Sequence, residues 1–158
     1  MAVTAKELLN DIHTHDLAKS AVHMLDWCDG YAEYEIGGTL TSISYDQVLD
    51  ALRMNRKPPR TATDVYIRDC FDWFFYRVDR IQHYIDRGLI DFQDVKSVFQ
   101  PYAREIEKHE QVFEEFFDFH EYASAKKFFS QYYSGTHPHV SAREKSTTRG
   151  SAGTAAGA

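Results

Sequence analysis

The residues between Asp64 and Arg87 constrain the fold more than any other part of this sequence. Six large apolar residues follow one another at spacings of 4, 3, 4, 3 and 4: Ile67, Phe71, Phe74, Val78, Ile81 and Ile85. This spacing places all six on one face of an α-helix, as in helices that pack on other helices. Gly88 then ends the helix. The sequence therefore predicts a long helix that buries one stripe in a helical core.

The other apolar residues extend the helical pattern over most of the chain. Helices are predicted from about Thr4 to Trp27, from Ser44 to about Met54, and from Asp91 to about Gln100, with a kink or a new start at Pro101. A second apolar stripe and an aromatic-rich segment follow over residues 102–133. The sequence thus predicts an all-α helical bundle of about five helices, in which two long helices pack antiparallel.

Two segments depart from this pattern. Gly37 and Gly38 lie between short apolar segments, so residues 33–43 fit either a small hairpin or an ordered loop. The last 23 residues, 136–158, hold one large aliphatic side chain, Val140. That is too little apolar surface to offset the entropy of ordering the segment. We expect a helical bundle domain over residues 1–135 and a disordered tail over residues 136–158.

The charge of the chain disfavours a nucleic-acid partner. Residues 1–135 carry 15 basic and 23 acidic residues, and an acidic body repels phosphate backbones. No apolar run approaches the roughly 18 residues of a membrane span, and the charges near the N-terminus do not fit a signal peptide. We therefore expect a cytoplasmic protein in which Cys28 and Cys70 are reduced, and we leave the role of the basic Arg53–Arg60 connector open.

Two Arg–His pairs leave an enzymatic alternative open. Helical-bundle ribonucleases of the HEPN class pair an arginine, which stabilises phosphate charge, with a histidine that transfers a proton. Arg77 with His83 and Arg104 with His109 have the spacing of such pairs. Pairs at this spacing also arise by chance in a chain with eight histidines. The alternative is a small helical-bundle ribonuclease or hydrolase that uses one of these pairs.

A metal-binding bundle is the second alternative. His109 and His120 lie on the apolar seam of their predicted helix, and Glu105 precedes His109 by one turn. Helical bundles bind metal ions through inward-facing His and Glu side chains. No histidine has a glutamate three residues before it, so the specific Glu-x-x-His signature is missing. Buried, hydrogen-bonded histidines are the simpler expectation, and no cofactor is predicted.

One stretch resembles a known family. Residues 72–99 (DWFFYRVDRIQHYIDRGLIDFQDVKSVF) combine a long aromatic helix, the segment Arg-Gly-Leu-Ile-Asp and the start of a short helix. This pattern is similar to a bacterial family of small helical proteins of unknown function. The resemblance implies an all-α bacterial protein and transfers no activity.

The remaining features favour a non-enzymatic function. The chain has no dinucleotide-binding glycine motif, no phosphate-binding loop, no serine-hydrolase elbow and no paired cysteines. Nineteen of its 23 aromatic residues lie within residues 66–133, and part of such a surplus can form a surface that another protein covers. We expect an interaction or regulatory module that binds another protein or itself. Candidate contact residues are the aromatics off the main stripe: Tyr66, Trp73, Tyr76, Phe117, Phe119, Tyr132 and Tyr133.

Overall fold

The computed structural model describes residues 4–27, 30–54 and 61–133. About three quarters of these residues are helical, so the predicted mostly helical fold is confirmed. The described ranges contain seven helices rather than five, and the hairpin is a regular element. In chain order the elements are α1 Ala5–Thr14, α2 Asp16–Asp26, β1 Tyr31–Ile36, β2 Thr39–Ser44, α3 Tyr45–Leu52, α4 Ala62–Asp86, α5 Phe92–Lys108, α6 Glu110–Phe119 and α7 Ala123–Tyr133.

Breaks at His15, at His109 and over residues 120–122 separate helices within the predicted helical segments. The helix expected from Thr4 to Trp27 is interrupted at His15, whose extended backbone (φ −87°, ψ 117°) turns the chain between α1 and α2. Its Nδ1 accepts a hydrogen bond from the Ala18 amide at 3.4 Å and so caps α2. The second break lies at His109, because α5 continues through Pro101. Of the two possibilities predicted at Pro101, a kink or a new start, the new start does not occur.

The hairpin is formed by β1 and β2, which pair antiparallel from Tyr31 opposite Ser44 to Ile36 opposite Thr39. Gly37 and Gly38 form its turn with φ of +59° and +80°, the left-handed values that a two-residue hairpin turn requires. Tyr34 and Ile43 are its buried side chains. The hairpin expected near residues 33–43 is thus confirmed.

Helix α4 is the centre of the packing, and its predicted stripe is buried. Ile67, Phe71, Phe74, Val78 and Ile81 are fully buried, and Ile85 is half-buried. Phe75, one position outside that stripe, is also fully buried. Its ring lies 4.7–6.1 Å from six other phenylalanine rings, those of Phe71, Phe74, Phe113, Phe116, Phe117 and Phe129.

Two other segments cover the sides of α4. The α1–α2 segment runs antiparallel to it, so that Tyr66 near the start of α4 contacts Ser20, and Arg77 further along contacts Asp11. Helix α7 runs parallel to α4, and the Asp79 carboxylate accepts a hydrogen bond from the Ala125 amide at 2.9 Å in the first turn of α7. Helices α2 and α7 pack most extensively on α4. The second long helix predicted from Tyr102 onward is divided among α5, α6 and α7, so the predicted pair of long antiparallel helices does not form as such.

Several predictions fall outside the described residues or concern the membrane. The tail (residues 136–158), Cys28, and residues 55–60 of the basic connector all lie outside the described ranges. Among the helices that are described, none combines the length and the apolar character that crossing a bilayer requires.

The end of α4 allows a test of the predicted stop at Gly88. Gly88 has φ +67°, its amide donates to the Ile85 carbonyl, and the Leu89 amide donates to the Tyr84 carbonyl, as in a Schellman motif. We expect Gly88→Ala to lower the free energy of unfolding by about 1–2 kcal/mol, because a Cβ is disfavoured at this φ. Chemical denaturation measures the effect. Gly30→Ala, in open space and without a positive φ, is the matched control, and equal losses in both variants would contradict the assignment.

The Cys70 thiol allows a second test, which asks whether this part of the core is closed to solvent. Burial raises the pKa of its thiol to about 12 from an ordinary 9.0. In a Cys28→Ser background, we expect no reaction with a thiol reagent at pH 8 until the protein is unfolded. Above pH 9 the unfolded chain loses the thiol proton while the folded chain keeps it, so the free energy of unfolding should fall as pH rises from 9. Cys70→Ala should remove this part of the slope, and rapid labelling of the native protein would show that the thiol is exposed.

Candidate interaction surface

One face of α4 remains open to solvent although the helix is central to the fold. Asp69, Trp73, Tyr76 and Arg80 lie on it at spacings of 4, 3 and 4, opposite the buried stripe; we call these four residues the α4 strip. Trp73 is 41% and Tyr76 46% exposed. Large aromatic side chains exposed side by side in the middle of a central helix are typical of a surface that binds a partner.

The α1–α2 segment borders the α4 strip on one side and holds Trp73 in place. The His15 imidazole lies 4.7 Å from the Trp73 ring. The Arg77 guanidinium lies 5.3 Å from the same ring and donates to the Trp73 carbonyl at 3.1 Å. Arg77 is buried, and its Nε lies 3.2 Å from the Asp11 carboxylate. The Arg77 guanidinium and the His15 imidazole thus hold the Trp73 side chain in one position. Because Trp73 is already ordered, it loses less conformational entropy when a partner binds.

Arg80 places a cation at one end of the α4 strip. Its guanidinium lies 6.0 Å from the Tyr76 ring centre and 3.7 Å from the Asp11 carboxylate. Asp11 is shared with Arg77, so one carboxylate faces two guanidinium groups. The Arg80 side chain is almost half exposed, and it therefore keeps charge available to a partner. Asp69 places a carboxylate on the exposed surface at the other end.

The turn between α6 and α7 borders the α4 strip on the other side. The Tyr122 hydroxyl donates to the Asp72 carboxylate at 2.6 Å, and His120 Nδ1 lies 3.5 Å from the same oxygen. The His120 ring lies between two others, 4.3 Å from Phe116 and 5.9 Å from Tyr122. Phe119 is exposed beside it, with ring centres 5.0 Å apart. Phe119 therefore extends the exposed aromatic surface toward α6.

The two titratable rings of this turn are shifted toward their neutral forms. Burial lowers the pKa of His120, and the Arg68 charge acts in the same direction, whereas the Asp72 carboxylate opposes them. Burial and the hydrogen bond to Asp72 raise the pKa of Tyr122 far above its usual value. His120 Nε2 is buried without a hydrogen-bond partner among the described residues. His120 and Tyr122 thus form a packed wall of two rings beside the strip.

The predicted contact residues fall into three groups. Trp73, Tyr76 and Phe119 are exposed. Tyr66, Tyr132 and Tyr133 are half-buried; their hydroxyls donate to Ser20 Oγ, the Lys96 carbonyl and the Ala103 carbonyl, so all three tie elements together. Phe117 is 3% exposed and lies 4.7 Å from Phe75. Phe117 is a core residue, and its prediction as a contact residue is wrong because α6 turns that face inward.

The structure does not assemble either predicted Arg–His pair into an open site. Arg77 is engaged by Asp11 and Trp73, while His83 is exposed on another face of α4. Arg104 is exposed on α5, and His109 lies at the break before α6 with its ring 5.6 Å from Tyr45. Arg77 is therefore not free to stabilise phosphate charge beside His83.

The three predicted metal ligands do not converge. His109 and His120 flank the ten-residue helix α6 at opposite ends, which separates them by about 16 Å along its axis. Glu105 forms an ion pair with Lys108. Among the residues the structure describes, no group of three His, Cys, Asp or Glu side chains is arranged to hold a metal ion.

Sequence reasoning missed the residues that support the α4 strip. The supporting roles of Asp11, His15 and Arg80 depend on α1–α2 folding back along α4, which no local pattern predicts. The spacing of Trp73 and Arg77, four residues apart on one helix, was a usable signal for a cation over a ring. No protein family, curated protein or solved structure gives a match to this chain.

The packing around His120 allows a testable prediction about the pKa of its imidazole. We expect its imidazole to titrate below the ordinary 6.5, as followed by NMR of the ring protons. Asp72→Asn should lower this pKa further, because the Asp72 carboxylate stabilises the imidazolium. As pH falls below 6.5 the unfolded chain binds the proton first, so His120 should make the folded protein less stable in acid. A midpoint above 6.5 would show that the Asp72 charge outweighs burial.

Proposed function

We propose that this protein is a non-enzymatic, self-associating interaction module whose partner is a second copy of the chain. The observation that carries the proposal is the order of side chains along the α4 strip. Two exposed aromatics, Trp73 and Tyr76, form its centre, and opposite charges, Asp69 and Arg80, stand at equal distances on either side. Such a strip is complementary to itself when a second copy is turned end for end.

The complementarity follows from helix geometry. In an antiparallel pair related by a two-fold axis between positions 74 and 75, Trp73 faces Tyr76 of the second copy, and Asp69 faces Arg80 of the second copy. Asp69 and Arg80 each lie about 8 Å from this axis along the helix. Each contact then occurs twice, as in the isologous interfaces of two-fold dimers. A parallel arrangement would instead place like charges opposite each other.

The residue types and the size of the strip set the expected affinity. Trp, Tyr and Arg are the side chains that most often dominate binding energy at interfaces. From Asp69 to Arg80 the strip spans only about 16 Å of helix, with Phe119 adding apolar surface at its edge. We therefore expect a small interface and a weak dimer, with a Kd on the order of micromolar.

The other functions considered from the sequence have less support. Arg77 is occupied by intramolecular contacts, and the predicted metal ligands do not converge. A regulatory role is compatible with weak self-association, because a weak dimer responds to changes in concentration. A cytoplasmic location and a bacterial origin stay predictions.

A charge exchange tests the dimer and its direction. Asp69→Arg and Arg80→Asp should each weaken self-association at least tenfold, because each places two like charges opposite each other. An equimolar mixture of the two variants should recover the wild-type affinity, since both pairs in the heterodimer are again opposite in sign. Sedimentation velocity over a concentration series measures the affinity of each variant and of their mixture. Trp73→Ala, which removes the central ring, should weaken association in the wild-type background as well.

The controls separate this arrangement from general electrostatic effects. Glu35→Arg changes the charge by the same amount on the exposed hairpin and should leave the affinity unchanged, and Leu40→Ala removes an exposed apolar side chain far from α4 along the chain. Circular dichroism confirms that each variant is folded. A wild-type chain that stays monomeric at millimolar concentration would overturn the proposal. So would a mixture that associates no better than either variant alone.

A further inference from the structure

A cleft of about 510 Å³ lies where α1, α2, β1 and α5 meet. Its volume is within the usual range for sites that bind small molecules. None of the residues that line it belongs to the α4 strip. Three carboxylates open into it, those of Asp16, Asp26 and Glu33, together with the His13 and His23 imidazoles.

The floor of the cleft is polar and held in place. Tyr34 is buried, and its hydroxyl forms a hydrogen bond with His23 Nδ1 at 3.1 Å. Ser20, also on the lining, accepts a hydrogen bond from the Tyr66 hydroxyl at 3.1 Å. These contacts join α2 to both β1 and α4. The cleft is therefore built from ordered elements rather than from side chains that move freely.

The charge of the cleft favours a cation. Three carboxylates are opposed by one ammonium group, that of Lys19. Asp16 and Asp26 lie near the two ends of α2, about 15 Å apart along its axis. Asp26 is exposed overall, but partial desolvation of its carboxyl raises the pKa, opposed by the nearby His23 and His13. A partly desolvated carboxylate gains more from a cationic ligand than a fully hydrated one.

Exposed aromatic rings continue the cleft on one side. A second cavity of about 340 Å³ shares His23 and Glu33 with the first and is also lined by Trp27 and Tyr31. Trp27 is 58% and Tyr31 68% exposed, and the His23 ring lies 5.6 Å from Trp27. Tryptophan and tyrosine faces attract ammonium groups, especially next to carboxylates. The exposed rings of Trp27 and Tyr31 therefore favour a cationic ligand independently of the acidic residues.

We propose that this cleft binds a small linear organic diamine or polyamine. Its ammonium groups would be held by Asp26 and Glu33 and by the face of Trp27, and its methylene chain would lie along the aromatic lining. A bare metal ion fits less well, because the described side chains include no group of three suitable ligands. An anion would be repelled by the carboxylates. Asp16 and Asp26, about 15 Å apart along α2, cannot both contact one compact cation, which favours a linear molecule with charges at both ends.

The probe is 1,8-diaminooctane, and 1,8-octanediol is the uncharged molecule of the same length. Isothermal titration calorimetry of the full chain at pH 7.5 and moderate salt should show saturable binding of the diamine near one per chain, and none of the diol. Asp26→Asn and Glu33→Gln should each weaken binding at least tenfold. Trp27→Ala should weaken it about threefold or more, which a purely ionic site would not show.

The controls distinguish a built site from diffuse attraction to an acidic protein. Glu35 lies two residues from Glu33 on the same strand but does not line the cleft, so Glu35→Gln should leave the affinity unchanged. Equal losses in the Glu33 and Glu35 variants, or no saturable binding at all, would overturn the proposal. Asp69→Arg should not alter diamine binding, because Asp69 belongs to the α4 strip. The cleft and the dimer are thus tested independently.

Discussion

The burial of one face of α4 is the interaction on which the rest of the structure depends. Phe71, Phe74 and Phe75 are completely removed from solvent, and full burial of each such side chain contributes roughly 1.5–3 kcal/mol. A helix of 25 residues cannot bury that face alone, so the surrounding helices are arranged around it. Helix α6 and helix α7 supply most of the rings that close around Phe75, including Phe113, Phe116 and Phe129.

The same packing explains why a surface is left open. The α1–α2 segment contacts α4 through Arg77. On the other side, the turn between α6 and α7 contacts Asp72, and the first turn of α7 contacts Asp79. Between these two lines of contact lies the α4 strip, which neither neighbour covers. The ion pairs and hydrogen bonds that fix the neighbours thereby also hold Trp73 and Tyr76 in defined positions. A rigid aromatic surface loses little conformational entropy when it binds, which suits a small interface.

Much of the secondary structure was predictable because its signals are local. The stripe from Ile67 to Ile85, the capping box at Ser44 and the stop at Gly88 depend on residues within one or two turns. The positions at which one helix ends and the next begins were harder to predict. His15 as a helix cap and the continuation of α5 through Pro101 contradict the usual preferences of those residues, because contacts made elsewhere in the fold outweigh local propensity. The pairing of α4 with α2 and α7, rather than with α5, was not predictable for the same reason.

The sequence by itself determined that the chain is mostly helical, that residues 64–87 form a long helix with one buried face, and that Trp73 and Tyr76 lie outside that face. Helical periodicity is sufficient for each of these, since it depends on spacing alone. Only the tertiary structure decided that Phe117 is buried while Trp73 is exposed, that Arg77 is engaged by Asp11, and that residues from four elements form one cleft. Exposure and proximity depend on which helices meet, and that is set by the packing of the whole core.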